Sequence, residues 1–175
     1  MIATIRAAVA AWLETEEAGS DYVSAVYATP PRIVSGTEFE APGLPTSGAG
    51  AVVFVYIETG NQQLITMGGP TSGVYSGQYT CHLIVAAQDA TGNTAHAQEV
   101  MDETMGELTR AIMANRTANT TDGTVFMWGL GPRDGSGVDI AVQMELPRTY
   151  ALRSVLIWGT LTVTVQELTQ QGATI

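Results

Sequence analysis

The 175-residue chain contains no lysine; its seven positive charges are all arginines, at Arg6, Arg32, Arg110, Arg116, Arg133, Arg148 and Arg153. A Walker-type phosphate loop needs its lysine and a Schiff-base mechanism needs an amine, so both are excluded. Cysteine is almost absent too: Cys81 stands alone, which rules out an internal disulfide and gives no sign of an oxidising compartment. Charged residues make up only 14%, against about 25% in ordinary soluble domains. Uncharged Thr, Gly, Ser, Ala and Gln must therefore form much of the surface, as in a subunit whose faces are covered by copies of itself. No apolar run approaches the roughly 18 residues of a membrane-spanning helix, and the start, "MIATIRAAVAAWLETEE", runs into Glu14, Glu16 and Glu17 without the pattern of a signal peptide.

What charge there is has one dominant sign. The net charge is −10 and the isoelectric point about 4.4, which excludes a basic nucleic-acid groove. With 45% hydrophobic residues, the chain can build one sizeable core.

Hydrophobic periodicity predicts a first helix over 2–17, from Ile2, Ile5, Val9, Trp12 and Leu13, stopped by Gly19. A short strand over 22–28 ends at Pro30 and Pro31. Residues 35–50, "SGTEFEAPGLPTSGAG", hold two prolines and four glycines without periodicity. They read as a long loop that is functional or ordered only against a partner, and Glu38 and Phe39 within it are candidate partner contacts. "AVVFVYIE" (51–58) is apolar on both faces and reads as a strand covered on both sides. "NQQLITMGG" and "GVYSGQYTCHLIVAAQ" follow as a hairpin.

The clearest helix is 94–115, with a stripe of Met101, Met105, Leu108 and Ile112 widened by Val100 and Met113. Asn93 or Thr94 can cap it, while Glu99, Asp102 and Glu103 lie early and Arg110 and Arg116 late, as the helix dipole prefers. Three further strands, 124–130, 137–145 and 153–168, complete the chain. In the second, Val138, Ile140, Val142 and Met144 alternate with polar residues, the signature of a half-buried antiparallel strand. The fold class is thus α+β: a mostly antiparallel sheet with two helices packed on one face.

Candidate chemistry is sparse. Cys81 and His82 are adjacent on a strand and so point to opposite faces, which makes Cys81 a small buried hydrophobe rather than half of a reactive pair. His96, in a first helical turn, reads as solvated. Two histidines and one cysteine without metal-ligand spacing give no zinc site. Glu99, Asp102, Glu103 and Glu107 crowd one helix at i,i+4 spacing and read as a solvated or subunit-facing acidic surface. "GLGPRDGSG" (129–137) precedes a strand instead of a helix and reads as a hairpin loop, in which Arg133 and Asp134 can make an intersubunit contact. No G-x-S-x-G is present. No catalytic, cofactor or metal residue is assigned, and the expectation is a protein that is not an enzyme.

The order of these segments resembles the tail terminator, or tail-completion, proteins of long-tailed bacteriophages. The carriers are the Ala-rich first helix, the bare loop, "VVFVYIETG", the strand–helix unit "GQYTCHLIVAAQDATGNTAHAQEVMDETMGELTRAIM" and the closing "WGTLTVTVQEL". The resemblance spans nearly the whole chain and rests on pattern and order. It implies a small α+β subunit assembling as a homohexameric ring in the virion neck, after a period in the host cytoplasm. Such a ring caps the tail tube, ends tube polymerisation and docks to the head–tail connector or stopper protein. Genomic DNA would pass through without specific binding, and neither cofactor nor membrane is implied. Two alternatives stay open: another phage neck or tail protein, such as a stopper or tube subunit, and a small-molecule-binding α+β domain using His82 and Tyr79.

Overall fold

The computed structural model describes residues 2–17, 20–35, 38–40, 42–67, 73–114, 117–119, 125–129, 140–149 and 154–171. Helix α1 spans Ile2–Glu16 and helix α2 Thr94–Ala114. The strands are β1 (Val23–Tyr27), β2 (Arg32–Ser35), β3 (Glu38–Glu40), β4 (Ala49–Met67), β5 (Gly73–Asp89), β6 (Thr117–Asn119), β7 (Val125–Trp128), β8 (Ile140–Met144), β9 (Arg148–Thr149) and β10 (Val155–Gln171). Eight of them form one sheet in the order β1-β4-β5-β10-β7-β6, with β8 and β9 also paired to β10. All its pairings are antiparallel except β1 with β4. The expected α+β arrangement is the one observed.

Strand alternation sorts the long central strands into two faces. Val53, Val55, Ile57, Cys81, Leu83, Val85, Ile157, Leu161, Val163 and Val165 point to the helix side. There they meet Ile5, Val9, Trp12 and Leu13 of α1 and Val100, Met101, Met105, Leu108 and Ile112 of α2 in one buried core. Each fully buried aliphatic side chain contributes about 1.5–3 kcal/mol. Trp12 also packs between Phe126 and Trp128, at ring-centroid distances of 6.1 and 5.3 Å, which ties α1 to β7. Gly159 lets α2 lie close on β10: a Cβ there would collide with the Met105 methyl and the Met101 sulfur.

Several expectations need correction. The segment "NQQLITM" is not a separate strand, because β4 runs unbroken from Ala49 to Met67. Gly60, between the two segments, sits opposite Tyr79, and a side chain there would strike the Tyr79 ring. The loop expected over 35–50 contains β3, which pairs with β2 in a separate two-stranded sheet. Its 42–48 portion is tied to its own chain, the Ser24 hydroxyl donating to the Gly43 carbonyl (2.8 Å) and the Ala90 amide to the Gly48 carbonyl (2.8 Å). Met113 does not join the α2 stripe and is half exposed. No acid lies in the first turn of α2 and no base in its last, so its start rests on the Asn93 cap, whose Oδ1 accepts from the His96 amide at 3.3 Å.

Candidate subunit interface

The outer face of the sheet changes character along its length. At one end Val52, Phe54, Ala86, Leu156 and Trp158 form a second buried cluster, with Tyr27 stacked on Phe54 and Leu44 packed over it. At the other end the rows become polar: Thr162 opposite His82 opposite Tyr56, then Thr164 opposite Thr80, then Gln166 opposite Gln78. His82 Nε2 lies 3.0 Å from the Glu58 carboxylate, and its Nδ1 3.0 Å from the Thr162 hydroxyl. A carboxylate can only accept, so Nε2–H donates to Glu58, while Nδ1 and the Thr162 hydroxyl make the second contact. Cys81 lies on the opposite face, wholly buried, and burial pushes its thiol pKa up. His82 and Tyr79 likewise point to opposite faces, so the two groups named for a small-molecule pocket cannot share one.

Among the described residues, three exposed large hydrophobics, Val142, Met144 and Leu146, lie together at the β8 side of β10. Residues 141–149 are exposed throughout. Val142 and Met144, which alternation had marked as a half-buried face, keep 47% and 42% of their surface, and Leu146 keeps 84%. The alternation is there; its cover among the described residues is slight, Gln98 of α2 reaching the Met144 sulfur at 3.8 Å. Ile140 alone packs against the core. The Glu145 amide donates to the Trp158 carbonyl at 2.8 Å, which sets the ladder phase. Gln143 and Ala141 are then the hydrogen-bonded partners of Thr160 and Thr162. Ile140, Val142 and Met144 therefore turn their backbone N–H and C=O outward, away from β10.

Two polar clusters lie elsewhere, and sequence reasoning missed both. The first corrects the reading of His96 as solvated: its Nδ1 donates to Asp89 Oδ2 at 2.8 Å. Asp89, at 1% exposure, also accepts from the Thr91 amide (2.7 Å), the Thr91 hydroxyl (2.5 Å) and the Asn93 amide (3.2 Å). Burial raises its pKa, but these donors outweigh burial and hold it down at about 2. The "D-A-T" spacing is an Asx-turn signal that could have located this knot.

The second cluster corrects Glu107, which turns inward while Glu99, Asp102 and Glu103 stay exposed. Glu107 accepts from the Ser20 hydroxyl at 2.8 Å and faces Glu17 in a cleft of about 410 Å3 also lined by Glu16 and Arg110. Glu17, 6% exposed, has its pKa pushed up to about 7 by burial and then by the Glu107 and Glu16 charges, with Arg110 opposing. No local sequence signal links residues ninety positions apart.

Of the contact residues expected from sequence, Glu38 and Phe39 fall in β3. Arg133 and Asp134 lie outside the described residues. Among the described residues no group of three or more His, Cys, Asp or Glu is placed to hold a metal, and no helix is long and apolar enough to cross a membrane. The chain matches no known protein-family profile, and no curated protein sequence matches it.

Proposed function

We propose that this chain is a structural subunit of a long-tailed bacteriophage. It closes as a ring at the head-proximal end of the tail tube, ends tube polymerisation and presents a docking face to the head connector. One observation carries the reading: an exposed sheet edge, β8, whose Val142 and Met144 keep 47% and 42% of their surface and whose outward amides have no strand beside them among the described residues. A patch of this kind on a chain with so few charges marks an interaction surface. The order of elements, which resembles that of the tail terminators, suggests the particular ring. The polar rows of Thr and Gln around His82 suit a wall past which DNA moves, because they offer no cation to grip phosphate. The test is negative-stain microscopy of the purified protein. Rings with an axial channel support the reading, and isolated particles of subunit size contradict it.

A further inference from the structure

We infer that the β2–β3 hairpin of one copy adds to the β8 edge of the next, so that the ring contact is a head-to-tail strand addition; this rests on the ring reading above. The chain carries two unfinished backbone features. Among the described residues, strands β2 and β3 pair only with each other. A two-stranded hairpin on its own is marginal in water and needs a surface to settle on. β8 offers the complement, with the backbone groups of Ile140, Val142 and Met144 turned outward.

Nothing in β8 blocks such an addition. Exposed edge strands are usually protected by lysine, inward charge, proline or a bulge, and "IAVQM" has no charge, no proline and an unshifted register with β10. Charge favours the same place. Two copies at −10 each repel, so contact is least opposed on an uncharged strand. Main-chain hydrogen bonds of this kind are a common recognition mode.

Topology then decides between a closed pair and a ring. The hairpin leaves the sheet from β1, at one end of the strand order, whereas β8 lies beyond β10 toward the other. Lying at opposite ends of the strand order, the two surfaces favour a heterologous contact over a reciprocal exchange between two copies, and its repetition closes a ring or runs on as a filament.

The test is disulfide trapping between copies. Ile33 and Phe39 are register partners in the hairpin, so one of them comes near β8 whichever hairpin strand docks. Protein carrying Val142→Cys is mixed with protein carrying Ile33→Cys or Phe39→Cys under mild oxidation. Cys81 has no exposed surface and does not compete. Docking raises the effective concentration of the two thiols, so the mixed pair should crosslink roughly tenfold faster than Val142→Cys alone. In parallel, Val142→Pro removes one outward N–H without touching the β10 ladder, and Val142→Lys adds the missing edge charge. Both should lose assembly, Val142→Lys with its thermal midpoint unchanged. If assemblies persist in both variants and no mixed crosslink forms, hairpin-to-edge docking is overturned while the ring reading stands. If the wild-type protein never associates, both fall.

Discussion

His96 Nδ1 lies 2.8 Å from Asp89 Oδ2, so the last residue of β5 is clamped to the first turn of α2. Asp89 is held at a pKa of about 2 in the folded chain, below its unfolded value of about 3.9. Its contribution is therefore present above about pH 4 and lost as pH falls toward 2. Asp89→Asn should cost about 1–2 kcal/mol at pH 7, allowing for solvent screening near the loop. Chemical denaturation at pH 7 and near pH 2 checks this. The mutant and wild type should converge at the lower pH; an unchanged gap would contradict the assignment.

Glu17 has the opposite sign. Its folded pKa of about 7 stands above the ordinary carboxylate value, so stability is greatest below about pH 4.5 and declines as pH rises through 7. Glu17→Gln removes the charge that repels Glu107 and should gain on the order of 1 kcal/mol at pH 8, with little change at pH 4. Thermal melts across that range decide. A destabilised variant at pH 8 would show that the ionised form is the one the cleft holds.

Cys81 sits between Ile57 and Val163 on the core face. Cys81→Ala or Cys81→Val should cost at most ~1–2 kcal/mol and leave assembly intact. Cys81→Ser should cost more, because a buried hydroxyl replaces an apolar sulfur. Loss of assembly in a folded Cys81→Ala protein would assign the thiol a role that packing does not.

Helix positions and sheet faces were legible from periodicity alone, because burial is continuous along α1, α2 and β10 and each side chain reports its face. Strand limits were less so. Gly60 reads as a break in any single strand, and only the Tyr79 ring on the neighbouring strand explains why β4 continues through it. The β2–β3 hairpin was hidden by surrounding prolines and glycines. The cover over Phe54 comes from Leu44, in a segment with no pattern of its own. The candidate interface was half visible: alternation marked Val142 and Met144 as an apolar face, but periodicity cannot say whether the cover is the same chain or another.

The polar rows of the outer face predict indifference to nucleic acid. Contacts that neutralise several phosphates give strong binding that weakens steeply with salt. With no lysine and a face of Thr, Gln and His82, duplex DNA should show no measurable affinity at physiological salt. Fluorescence anisotropy with labelled duplex checks it, and tight salt-sensitive binding would argue against a passive channel wall.

Sedimentation velocity on the wild-type protein beside Val142→Lys tests the assembly claim most directly. A ring built on the β8 edge predicts a wild-type mass several times 18.4 kDa, near six subunits if the terminator resemblance holds, and a folded monomer for Val142→Lys. A wild-type chain that sediments as a monomer at high concentration would contradict it.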